Sequence, residues 1–195
     1  MVALERMRLE ETIARLRAER DGYGEPMYTI GPPVDAGAVD FWGDTPAGLR
    51  ELAAITSFIS GGYLHLELPE VLRAYGDDLL GELIEIGHSG YGSYWVLDAA
   101  GRVWWLGHDP NVITLAGRSI EELLQRAEGW DEGSSPHESP ATPRAVEEAL
   151  AAGGSARIGL DEIATGEGFD FDLHCIDREG DALVITRLDV PEDES

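Results

Sequence analysis

Residues that could carry chemistry concentrate in one stretch of the chain. Between Gly87 and Asp109 stand the histidines His88 and His108, the aspartates Asp98 and Asp109, the serines Ser89 and Ser93, five glycines and five large aromatics. Acyl transfer needs a serine lifted on a Gly-x-Ser-x-Gly turn. Here Gly87-His88-Ser89-Gly90-Tyr91 places tyrosine where the last glycine belongs. A Ser93–His108–Asp98 relay would need those side chains to converge, which spacing alone does not dictate. A small metal enzyme could draw nitrogen and oxygen ligands from His88, His108 and Asp109. No local histidine pair supports it, and His65, His137 and His174 are scattered singly. Phosphate cradling fails more simply. Gly90-Tyr91-Gly92 lacks the third glycine of a dinucleotide turn, and a chain without lysine cannot build a P-loop. Among the 38 acidic residues nothing singles out a carboxylate pair for glycoside hydrolysis.

An architectural reading accounts for more of the same residues. Tyr94-Trp95-Val96-Leu97 is apolar on both alternating faces, as suits the centre of a sheet covered on both sides. Trp104-Trp105 puts one indole on each face of its strand. Asp98-Ala99-Ala100-Gly101 between the two runs fits a type I turn with glycine in the left-handed region. Glycines 87, 90 and 92 allow a bend or bulge before the hairpin.

The surrounding elements follow from periodicity and caps. Leu9, Ile13 and Leu16 recur at helical spacing within residues 2–20. Met27–Ile30 and Ala38–Trp42 read as short extended pieces. Thr45-Pro46 opens a helix whose face is Leu49, Leu52, Ala53, Thr56 and Ile59, closed by Gly61-Gly62. Leu64, Leu66 and Leu68 alternate with His65 and Glu67 as a strand, and Pro69–Tyr75 reads as a helical turn. Glu82–Ile86 is a further strand. Ser119 and Glu122 form a capping box ahead of Leu123-Leu124. Residues 128–143 are loop-like, and Thr142-Pro143 opens a helix to about Ala152. Phe169, Phe171, Leu173 and Cys175 alternate with acids and His174, giving a strand with one buried face. Asp177-Arg178-Glu179-Gly180 then turns into a partner strand, Ala182–Leu188.

Composition bounds the function. The chain has 195 residues, 38 acidic against 14 basic, all arginine, for a net charge of −24. Such a field repels nucleic acid and anionic lipid and speeds encounter with a basic protein. It also suits simple solubility. Cys175 is the only cysteine, so no internal disulfide or multi-cysteine zinc site can form, which fits a reducing cytoplasm. No apolar run approaches the roughly 20 residues that span a bilayer, and no signal peptide is visible.

Glu82–Ile86, Gly90-x-Gly92-x-Tyr94-Trp95-Val96-Leu97-Asp98, Gly101-Arg102-Val103-Trp104, His108-Asp109 and Ser119-Ile120-Glu121-Glu122-Leu123-Leu124 together resemble the SUKH superfamily. These are immunity-protein domains related to a fungal cell-wall-synthesis regulator. Order and spacing agree over residues 82–126, and the helix from Pro46 with its Gly61-Gly62 turn is similar to the family's first helix. The resemblance implies an α+β domain with a largely antiparallel curved sheet and helices packed on it. It implies a non-enzymatic immunity protein without cofactor or metal, which binds a cognate toxin such as a basic nuclease or nucleic-acid deaminase. A regulatory protein-interaction scaffold of the same fold is the alternative role.

The expected organisation is an N-terminal helix over 1–20, a SUKH-like domain over 21–127 and a loop or linker over 128–143. A helix plus β-hairpin extension follows over 144–190, whose joining to the main sheet is left open, and an acidic tail over 191–195. Docking candidates are Trp42, Asp44, Trp130, Asp131 and Glu132, where aromatics meet acids, and the Asp170-x-Asp172 face. Oligomeric state is not legible.

Overall fold

The computed structural model describes residues 2–35, 46–61, 64–68, 73–88, 92–128 and 140–188. Within them lie helices α1 (Val2–Ala18), α2 (Ala47–Ala53), α3 (Ile120–Ala127) and α4 (Arg144–Ala151). The strands are β1 (Thr29–Ile30), β2 (Phe58–Gly61), β3 (Leu64–Glu67), β4 (Arg73–Asp77), β5 (Gly81–His88), β6 (Tyr94–Asp98), β7 (Val103–Leu106), β8 (Val112–Gly117), β9 (Ala156–Gly159), β10 (Gly168–Asp170), β11 (His174–Glu179) and β12 (Ala182–Arg187).

The centre is a six-stranded sheet in the order β10-β8-β7-β6-β5-β4, antiparallel at every pairing. Register shifts between Glu85 and Gly87 and between Val103 and Trp104 bend it. The fold is therefore α+β with a curved antiparallel sheet, as the family resemblance implied. Two smaller antiparallel sheets, β1-β2-β3 and β11-β12-β9, flank it.

Both faces of the central sheet are buried, by different parts of the chain. On one face Trp95, Leu97, Val103 and Trp105 join Leu9, Ile13 and Leu16 of α1, Leu49 and Leu52 of α2, and Leu123 and Leu124 of α3. On the other, Val96, Trp104, Ile113 and Leu115 join Val146 of α4, Ile158 of β9, Phe169 of β10, and Leu183 and Ile185 of β12. Trp104 and Trp105 do point to opposite faces. Trp95 and Trp105 are direct cross-strand partners with ring centroids 4.6 Å apart. Residues 144–188 thus cover the second face of the central sheet. β10 extends the central sheet beside β8, while β9, β11 and β12 make a separate sheet that shares a core with it.

The structure corrects several expectations. The helix from Pro46 ends at Ala53, short of Ile59. Buried Thr56 bonds its hydroxyl to the carbonyls of Gly31 and Phe58, at 3.1 and 2.8 Å, and the chain leaves as β2, whose neighbours β1 and β3 satisfy its backbone. Pro46 and Pro143 stand at the N-cap positions themselves, with no side-chain cap. The segment read as a helical turn contributes Arg73–Tyr75 to β4; its earlier part lies outside the described residues, as do Ala38–Trp42, 129–139 and the acidic tail.

The alternating strand Phe169–Cys175 is broken after Asp170. Its carboxylate accepts the Asp172 N–H at 2.8 Å and its carbonyl the Leu173 N–H at 3.2 Å, reversing the chain between two sheets. Phe169 is therefore buried, whereas Leu173 and Cys175 are exposed. Two strands escaped the sequence reading altogether, β8 and β9. Finally, Ala141 bridges Glu167, so the end of the expected linker is tied to the fold.

Candidate functional site

The chemistry-bearing middle segment is built into the scaffold. Asp98 ends β6 with its carboxylate only 1% exposed. One carboxylate oxygen accepts the Ala100 and Arg102 backbone N–H groups at 3.0 and 2.9 Å. The other accepts Arg102 Nε at 2.6 Å and Trp104 Nε1 at 3.0 Å. The Gly101 N–H returns to the Asp98 carbonyl with φ at +86°, the left-handed geometry that favours glycine. Arg102 reaches on to exposed Asp161, tying the hairpin to the C-terminal half.

Ser93 stands at the opposite end of β6, roughly 16 Å from Asp98 at ~3.3 Å per residue. Its hydroxyl oxygen accepts the His108 backbone N–H at 3.0 Å. The Ser93–His108–Asp98 relay is therefore not assembled: these groups hold a strand end and a turn.

The metal grouping drawn from the sequence is also rearranged. His108 and Asp109 are exposed, and the His108 ring lies over Gly92, where an added Cβ would meet Cδ2 at 3.8 Å. His88, at the end of β5, instead meets His65 and Glu67 of β3. Ligand atoms of these three half-buried residues lie within 4.8 Å of one another. The His65 and His88 ring centroids are 5.5 Å apart, and His65 Nε2 is 3.6 Å from Glu67 Oε2. His65 Nδ1 lies 3.0 Å from Ser60 Oγ on β2. The alternation of Leu64, Leu66 and Leu68 already placed His65 and Glu67 on one face. What the sequence lacked was their partner, brought from another sheet. Gly87 permits that approach: a Cβ there would strike the His65 carbonyl and lie 3.0 Å from Leu66 Cα.

Of the docking candidates, Trp42, Asp44, Trp130, Asp131 and Glu132 lie outside the described residues. Asp170 is half-buried and spends its carboxylate on the turn, while its carbonyl faces His174 Nδ1 at 3.0 Å. Asp172 is exposed. Further acids stand on the outer face of β11-β12-β9, where Asp177 and Glu179 point outward with Cys175, paired across β12 with Val184, Ala182 and Thr186. Arg157 of β9 bonds Glu179.

Two other places gather polar groups. A groove of about 430 Å3 opens between α2, the Asp98–Gly101 turn and the start of α3, lined in part by Gly48, Glu51, Ala100 and Arg118. Where α1 meets α3, the Tyr28 hydroxyl donates to the Ala127 carbonyl at 2.9 Å. Burial, with Glu19 and Glu128 nearby, pushes that phenol up to about 12, and burial together with Glu128 raises the Glu19 carboxyl.

No family model, curated protein or solved structure matches the chain. Among the described residues no helix is long and apolar enough to cross a membrane.

Proposed function

We propose that this chain is a non-enzymatic antitoxin that neutralises a cognate basic toxin, such as a nuclease or nucleic-acid deaminase, by stoichiometric binding in the cytoplasm. The observation that carries the reading is the net charge of −24 spread over 195 residues with no lysine. Such an exterior accelerates encounter with a positive surface and can occlude the patch a nuclease uses for phosphates. Two things support it. The residues most suggestive of catalysis, Ser93 and Asp98, are engaged in holding the hairpin. The motifs over residues 82–126 that resemble SUKH immunity domains include strands β5, β6 and β7 of the curved central sheet and the capped helix α3.

Exposed acids on the C-terminal half, Asp172, Asp177 and Asp181 among them, offer a surface that the fold does not consume. Each exposed pair with arginine would add about 0–1 kcal/mol, so affinity would come from many contacts and their shared field. The test is a calorimetric titration of the chain against the toxin encoded beside it, at low ionic strength. The reading predicts a saturable one-to-one complex that abolishes toxin activity; the absence of binding removes it.

A further inference from the structure

We propose that His65, Glu67 and His88 form a binding site for a divalent transition-metal ion of the zinc class, clipping the β1-β2-β3 sheet to the central sheet. Two imidazoles and one carboxylate are a recurrent ligand set for Zn2+ with a fourth position left to water. An ion bonded at roughly 2.0–2.2 Å needs its tetrahedral ligand atoms roughly 3.3–3.6 Å apart. His65 Nε2 and Glu67 Oε2 already stand at 3.6 Å, and the whole set lies within 4.8 Å, so small side-chain rotations close it.

Three further features point the same way. His65 and Glu67 are alternate residues of one strand, so the backbone aims both to one side. His65 Nδ1 engages Ser60 Oγ, which fixes the ring and leaves Nε2 toward Glu67, the outer support that metal-bound histidines use. Gly87 lets β3 pack close enough to β5 for His88 to complete the set. The donors are nitrogen-rich, so the site selects Zn2+, Co2+ or Ni2+ over Mg2+ or Ca2+. A rival account is a plain His65–Glu67 ion pair with His88 stacked beside it. The metal proposal stands apart from the toxin-binding reading and survives its failure.

The test titrates untagged, chelator-stripped protein with Zn2+ by calorimetry and with Co2+ by visible absorption. Expected are one equivalent of tight Zn2+ uptake, Co2+ bands of tetrahedral intensity, and a rise in thermal midpoint with Zn2+ that Mg2+ does not reproduce. His65→Ala and His88→Ala should abolish the tight equivalent. Ser60→Ala, which leaves all three ligands, should weaken it by roughly 10–100-fold. Glu67→Gln serves as a conservative check if a histidine variant fails to fold, and should lose the Co2+ bands while its melting in chelator stays near that of the parent. Weak uptake by surface carboxylates alone, with variants titrating like the parent, would overturn the site.

Discussion

Replacing Asp98 by alanine should be among the most damaging single changes in the chain. The carboxylate is 1% exposed and accepts four hydrogen bonds, two from the turn backbone, one from Arg102 Nε and one from Trp104 Nε1. Breaking a buried ion pair from one side costs about 3–5 kcal/mol, because the remaining charge is left without its partner. The contact that Arg102 keeps with Asp161 returns little, since Asp161 is 91% exposed and such pairs are worth about 0–1 kcal/mol. Trp104, wholly buried, would keep an indole N–H without an acceptor. The loss is then a large share of the ~5–15 kcal/mol that stabilises a typical domain.

Asp98→Asn should fall between, because its amide can still accept from the backbone but turns a donor toward Arg102 or Trp104. Equilibrium denaturation followed by tryptophan fluorescence and circular dichroism measures both. A double-mutant cycle with Trp104→Phe should show coupling of about 1.5–3 kcal/mol, the range for a hydrogen bond to a charged group. A loss below about 1 kcal/mol for Asp98→Ala would refute the claim that this carboxylate holds the hairpin, and would reopen a chemical role for it.

Tyr28 gives a pH signature. Its phenol is held up to about 12 in the folded protein, so stability is fully present below about pH 10 and falls as pH rises through 12. At 4% exposure the shift corresponds to about 2–3 kcal/mol, and Tyr28→Phe should remove that alkaline step from the pH dependence of the denaturation midpoint. Gly168→Ala should destabilise β10 sharply, since a Cβ there would strike the Ile113 carbonyl and sit 2.8 Å from Thr114 Cα; a midpoint within experimental error of the parent's would contradict the close pairing of β10 with β8. Phe169→Ala, at the same strand, should cost about 3–5 kcal/mol by emptying a fully buried position; a thermal melt reads it, and a loss near zero would mean the second core is loosely built.

Local signals in the sequence predicted the elements that local physics decides. α1, the β6–β7 hairpin with its Asp98–Gly101 turn, and the Ser119 cap on α3 stand as expected, the last with the Glu122 N–H donating to Ser119 Oγ at 3.1 Å. Elements decided by distant neighbours were harder. β8 is buried at all six residues, Val112 to Gly117, so it lacks the alternation that marks a strand with one wet face. The Phe169–Cys175 alternation looked continuous because nothing local to it reveals that residues 168–170 pair with β8 and residues 174–179 with β12.

The site follows the same division. Strand spacing put His65 beside Glu67, yet only the packing of β3 against β5 supplies His88. The first grouping of His88 with His108 and Asp109 followed nearness in sequence, which the antiparallel sheet does not preserve.

The central claim is that the anionic exterior grips the toxin while Ser93 and Asp98 only hold the hairpin. It is tested most directly by measuring the affinity for the cognate toxin across a series of ionic strengths, as screening shortens the reach of exposed charge from ~30 Å at 0.01 M to ~3 Å at 1 M salt. The account predicts a one-to-one complex whose association rate and affinity fall steeply with salt. It also predicts that Ser93→Ala, if folded, inhibits the toxin as well as the parent does. An affinity indifferent to salt, or neutralisation lost in a folded Ser93→Ala variant that still binds, would contradict it.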